Sequence, residues 1–98
     1  DVADAVAEMM VGVVQRGTAA SLARPGLVIG AKTGTAEVDA ASATADTHAW
    51  LIAFAGLPDD TPDLAIAVMV EAVPGAGQQT GGAVAGPIAA AIIDARYG

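Results

Sequence analysis

One lysine stands in the chain, Lys32, inside Gly30-Ala31-Lys32-Thr33-Gly34-Thr35-Ala36-Glu37. An ammonium beside two hydroxyls suits recognition of a carboxylate: the hydroxyls donate hydrogen bonds and the cation supplies charge. On an extended segment, Thr33 and Thr35 point to one side, Lys32 and Gly34 to the other. Gly34 carries no side chain, so a neighbouring element can pack closely there. An exposed strand edge at this motif lets an extended peptide pair with the backbone.

Other chemistries fit less well. Gly26 to Thr33 spells G-x-x-x-x-A-K-T, close to a phosphate loop. Ala31 replaces the glycine that such a loop needs, Leu27-Val28-Ile29 favours a strand, and Gly34 between two threonines makes a poor helix to hold a phosphate. His48 is the only imidazole, and with no Ser or Cys nucleophile beside it a structural role is expected. Asp59, Asp60 and Asp63 fail the spacing of a calcium loop and read as a solvated turn. With no cysteine and one histidine, no zinc site is expected, and no residue set calls for a cofactor. The net charge is −7, and Arg16, Arg24 and Arg96 are scattered, so no basic patch exists for nucleic acid.

The elements that must position the motif are legible from periodicity. The length of 98 residues allows one domain. The composition is 54% hydrophobic but 3% aromatic, so the core is aliphatic and rich in alanine. Val2, Val6, Met9, Met10 and Val13 recur at helical spacing and predict an amphipathic helix over 2–16, stopped by Gly17. Strands are expected at about 27–37, 48–57 and 64–72, the last two joined by the turn-forming Pro58-Asp59-Asp60-Thr61-Pro62-Asp63. Residues 38–46 read as a mobile loop and 73–81 as a Gly-rich one. A final helix over 82–97 carries Val84, Ile88, Ile92 and Ala95 on one face and is kinked by Pro87. Trp50 and Phe54 share a strand face and are expected in the core, with Met9, Met10 and Met69 as filler. Glu37 reads as a cap or pairing partner at the strand end.

The fold class is therefore α/β (α+β): helix, three antiparallel strands, helix. Strand 64–72 is apolar on both faces, as central strands are, so the sheet is expected to continue beyond this chain, into further parent polypeptide or a second copy. No apolar run reaches the ~18 residues of a membrane span, and no signal peptide is visible. The chain opens inside an apparent helix, as a piece of a longer protein would.

Lys32-Thr33-Gly34-Thr35-Ala36-Glu37 resembles the third of the motifs shared by penicillin-binding proteins and serine β-lactamases. It matches the longer form of the class B penicillin-binding proteins, the monofunctional peptidoglycan transpeptidases. His48-Ala49-Trp50, Val70-Glu71 and Gly81-Gly82-Ala83-Val84-Ala85-Gly86-Pro87-Ile88 follow in the family's order. The composition is similar to actinobacterial members of the penicillin-binding protein A type.

The resemblance implies that residues 1–98 are the C-terminal part of a transpeptidase domain with a partial penicillin-binding-protein/β-lactamase-like fold. It implies a parent, anchored at the extracytoplasmic face of the membrane, that cross-links peptidoglycan stem peptides ending in D-Ala-D-Ala through a serine acyl-enzyme and is trapped by β-lactams. Lys32 and Thr35 would be catalytic, with Thr33, Gly34 and Thr35 binding substrate and no metal involved. The Thr35 N–H would serve the oxyanion hole, where one donor is worth on the order of 3 kcal/mol. The family's S-x-x-K nucleophile is absent, because Ile29 stands three residues before the only lysine, and no asparagine completes S-x-N. The chain alone is expected to be inactive. A non-catalytic penicillin sensor and a serine β-lactamase are the alternatives; the Thr-Ala-Glu extension and the Gly-Gly…Pro-Ile helix start favour the transpeptidase.

Overall fold

A computed structural model describes residues 1–37, 46–75 and 79–98. The expected mobile loop falls almost wholly outside these residues, as do 76–78 of the Gly-rich loop and the Glu37 side chain. Helix α1 spans Val2–Arg16, and Asp1 caps it by accepting from the Asp4 N–H at 2.9 Å. A 3-10 turn follows at Ala20–Leu22. Strands β1 (Val28–Glu37), β2 (Thr47–Gly56) and β3 (Leu64–Val70) form one antiparallel sheet in the order β1-β2-β3. A π-helical turn at Gly81–Ala85 then leads into α2, Gly86–Tyr97.

The strand register divides the sheet into two faces. Ile29, Ala31, Thr33 and Thr35 lie with Ala55, Ala53, Leu51 and Ala49 and, across β2, with Ile66 and Val68. This face holds the core, closed by Val14 of α1, Leu22 of the 3-10 turn, and Ala85, Ala89 and Ile93 at the C-terminal end. Fully burying a side chain such as Leu51 or Ile93 is worth about 1.5–3 kcal/mol. Ala53 and Ala55 of β2 and Ala85 and Ala89 of the C-terminal segment belong to this core, and among the described residues no aromatic is fully buried in it.

The core stripe of α2 is displaced from the expected one. Ala89 and Ile93 are buried, continuing Ala85, while Ile88 and Ile92 are exposed. The π turn accounts for this. Gly86 donates to the Gly81 carbonyl five residues back, and the wider turn shifts the phase of everything after it. Pro87 falls in the first turn of α2, where a missing N–H costs little, rather than kinking a continuous helix.

The opposite sheet face is uncovered over most of its area. Trp50 is 44% exposed and Ile52 50%, with Met69 beside them on β3. Trp50 and Met69 are thus not core residues. Phe54 is half-buried, its ring lying across Gly30, where a Cβ would collide with it. On α1 only Val14 is buried, and Val2 and Met9 are 80% and 64% exposed. The predicted apolar face of α1 exists in sequence but finds no cover along its first two turns. Strand β3 ends the sheet: Ile66 and Val68 face the core while Ala65, Ala67 and Met69 do not. Among the described residues it is the outermost strand, with one face buried.

Two polar clasps fasten α2. Arg24 donates from Nε to Asp94 Oδ1 at 2.8 Å and from Nη2 to Oδ2 at 3.2 Å, while its Nη1 reaches the carbonyls of Ser21 and Ala23. This fork holds the Asp94 carboxyl below its usual range and pushes the Arg24 guanidinium up. Asp63 accepts from Arg96 Nη2 at 2.7 Å and from the Tyr97 hydroxyl, and the Arg96 guanidinium lies 4.8 Å from the Tyr97 ring centroid. Asp63 is thus a fastening between the β2–β3 turn and α2, not merely a solvated turn residue. Asp59 takes φ of +66° in that turn, a left-handed conformation aspartate tolerates better than most residues.

Candidate functional site

The second half of β1 forms one wall of an open groove of about 390 Å³, lined by Thr18, Thr33, Thr35, Thr80, Gly81, Gly82 and Ala83. Three segments meet there: the chain leaving α1, strand β1 and the π turn. Thr33 and Thr35 are two apart on a strand and so project together. Thr18 is brought to them by the reversal after Gly17, and its Oγ1 lies 2.8 Å from Thr33 Oγ1. Thr80 caps the π turn by accepting from the Ala83 N–H at 3.2 Å. Hydroxyls and backbone make up its polar surface, and among the described residues none that lines it is acidic, in a chain of net charge −7. A carboxylate entering this groove meets the hydroxyl donors of these residues.

Glycine lets the wall come so close. A Cβ on Gly81 would overlap the Trp50 carbonyl oxygen and lie 3.0 Å from the N and O of Gly34; a Cβ on Gly82 would lie 2.8 Å from the Thr18 carbonyl oxygen. The π turn therefore rests directly on the backbones of β1, β2 and the segment after α1. Among the described residues a Cβ at Gly34 would meet Trp50 Cβ at 3.6 Å, an ordinary contact. The close approach expected at Gly34 is real, but the residue that must lack a side chain for it is Gly81.

Lys32 is exposed and lies on the other face of β1, opposite Ile52. Its Nζ donates to the Thr33 carbonyl at 2.6 Å. The alternation expected from sequence thus holds, and it separates the ammonium from the groove that the two threonines line. The cation is held against the backbone of its own strand by its bond to the Thr33 carbonyl.

Behind the groove, Thr47 is buried and clamps the returning chain: its Oγ1 accepts from the Gln79 N–H at 2.7 Å and donates to the Gln79 carbonyl at 3.2 Å. His48 Nδ1 accepts from the Ala72 N–H at 2.8 Å, so the imidazole fixes the exit of β3, the structural role expected of it. Among the described residues no cluster of His, Cys, Asp or Glu could hold a metal ion, and no helix is long and apolar enough to cross a membrane.

Residues 1–94 match the transpeptidase domain of penicillin-binding proteins. The chain belongs to this family. The transpeptidase-family assignment is supported by a curated relative, the peptidoglycan D,D-transpeptidase PbpA of Mycobacterium tuberculosis (strain CDC 1551 / Oshkosh), 43% identical over 94 residues, which are 96% of this chain and 18% of that protein. The chain thus spans about a fifth of the length of that transpeptidase. A crystal structure of PBPA from M. tuberculosis superposes with a TM-score of 0.74 at 42% identity, covering 99% of this chain and 21% of that one. A penicillin G acyl-enzyme complex of penicillin-binding protein A from M. tuberculosis gives a TM-score of 0.69 at 39% identity, over 99% and 20%.

Within the family frame, the motif quoted from sequence and the Gly-Gly segment ahead of α2 meet at one groove. Two participants were not legible. Thr18 follows a helix in a run of small residues and carries no pattern of its own. Thr80 precedes the glycine pair and reads as ordinary loop.

Proposed function

We propose that this chain is the C-terminal portion of the catalytic domain of a serine-type peptidoglycan D,D-transpeptidase, and that its groove receives the terminal carboxylate of the donor stem peptide. The observation that carries this reading is the shared groove of Thr33 and Thr35, lined among the described residues by hydroxyls, glycines and one alanine. In this reading a D-Ala-D-Ala stem lies along β1 as an added strand. Its carboxylate takes hydrogen bonds from Thr33 and Thr35, the Lys32 ammonium lends charge at the strand rim, and the Thr35 N–H is one donor to the oxyanion. The serine that attacks the D-Ala-D-Ala carbonyl belongs to another part of the parent, as do the S-x-N residues. That attack breaks the D-Ala-D-Ala peptide bond and releases the terminal D-Ala; an amine of a neighbouring stem then displaces the serine oxygen and takes the acyl group, and β-lactams occupy the same place as donor mimics. The parent would be anchored in the membrane and face outward.

The relative's D,D-transpeptidase identity favours this reading over a penicillin sensor or a β-lactamase. The test compares the full-length parent with its Lys32→Ala and Thr33→Val variants, using a fluorescent penicillin and time-resolved labelling. Thr33→Val should acylate at least tenfold more slowly, given about 1.5–3 kcal/mol for a hydrogen bond to a charged group, and Lys32→Ala should also be slower through the loss of its charge. Wild-type rates in both would refute the assignment. Covalent labelling of the 98-residue chain by itself would refute the account of the missing nucleophile.

A further inference from the structure

The groove holds a pair of hydroxyls whose relation has a chemical consequence. Thr18 Oγ1 and Thr33 Oγ1 are 2.8 Å apart, and either can donate to the other. Each hydroxyl owns one proton. If Thr33 donates to Thr18, its proton is used and the Thr33 oxygen presents only lone pairs to the groove. If Thr18 donates to Thr33, the Thr33 proton is released and points outward. An anion seated against Thr33 selects the second arrangement, because only that one lets the Thr33 hydroxyl donate to it. The Thr18 bond then polarises the Thr33 hydroxyl and strengthens its bond to the anion.

We propose that Thr18 is a positioning residue for carboxylate recognition, acting through Thr33 as a two-hydroxyl relay: Thr18 Oγ–H to Thr33 Oγ–H to the ligand carboxylate. The inference rests on the carboxylate-binding reading of the groove and adds to it a residue outside the Lys-Thr-Gly-Thr motif and a basis for charge selectivity. Three features place Thr18 for this work. It follows directly on Gly17, which ends α1. Its carbonyl is covered by the close approach of Gly82, which fixes the backbone. Its hydroxyl lines the same groove as Thr33 and Thr35. A relay of this kind discriminates: a carboxylate gains the full polarised bond, whereas an uncharged ester at the same place gains less.

The test uses the full-length parent, with penicillin G and its carboxyl methyl ester as probes, and follows the second-order acylation rate. Thr18→Val removes the hydroxyl at nearly constant shape and should lower the acid-to-ester rate ratio about fivefold, the worth of one neutral hydrogen bond. Thr18→Ser should restore it. Thermal melting of each variant separates loss of fold from loss of selectivity. A Thr18→Val enzyme with an unchanged ratio overturns the relay while Thr33→Val still slows the acid. An equal slowing of acid and ester also overturns it, since a merely structural residue would act on both. If Thr33→Val itself leaves the acid rate unchanged, the carboxylate reading of the groove falls, and the relay with it.

Discussion

Replacing Gly81 by alanine tests how the π turn holds the groove together. The added methyl would overlap the Trp50 carbonyl oxygen and stand 3.0 Å from both N and O of Gly34. These are backbone atoms of two paired strands, so no rotamer can clear the way. Comfortable contact needs about 3.5 Å or more, which requires the π turn to lift by roughly 1 Å. Overpacking of this kind costs about 1–3 kcal/mol, and rigid neighbours on both strands put this case near the upper end. At about 2–4 °C per kcal/mol for a domain of some 200 residues, the melting temperature of the transpeptidase domain should fall by about 6–12 °C. The lift also moves Thr80 away from Thr33 and Thr35. A displacement of about 1 Å can cost on the order of a hundredfold in rate, so acylation by penicillin G should fall steeply at temperatures where the variant remains folded. Gly34→Ala is the internal control, since among the described residues its Cβ meets Trp50 Cβ at an ordinary 3.6 Å, and its melting temperature should match the wild type. Differential scanning fluorimetry and time-resolved labelling read both quantities. A Gly81→Ala domain that melts and acylates like the wild type would show that the turn does not rest on the strands as described.

Thr47→Val strands the N–H and carbonyl of Gln79 beside a buried methyl and should cost about 2 kcal/mol in chemical denaturation. Leu51→Ala empties the centre of the sheet's buried face and should cost about 3 kcal/mol or more by the same measurement. Asp94 is held below the usual carboxylate range by Arg24, so its contribution is present above the ordinary value and is lost as pH falls through the lowered one; Asp94→Asn should flatten the acid limb of stability below about pH 4. Tyr97 is pushed above its ordinary range by the bond to Asp63, so that contribution is present below about pH 10 and is lost as pH rises through the raised value; Tyr97→Phe should flatten the alkaline limb of a pH melting series.

Much of the fold could be read from periodicity and turn chemistry. The 2–16 helix, the three strands and the hairpin around Pro58 and Pro62 come within a residue or two of the observed elements, because each has a clear period and clear punctuation. The phase of α2 could not be read, because a Gly-Gly pair permits a π turn without announcing one, and one extra residue in that turn rotates Ile88 and Ile92 out and Ala89 and Ile93 in. Apolar side chains such as Trp50, Met9 and Met69 signal a need for cover, and so read as core; the sequence carries no signal of what supplies that cover. At the site, the alternation of Lys32 against Thr33 and Thr35 follows from strand geometry alone. Thr18 does not, since its place beside Thr33 depends on the three-dimensional reversal after Gly17.

Trp50 is the only indole in the chain, and it stands half in water on the open side of β2. That position makes it a spectroscopic reporter needing no dye. Whatever comes to lie over that surface will dehydrate the ring and move its emission to the blue, so a fluorescence titration can follow assembly of this piece with its surroundings in real time.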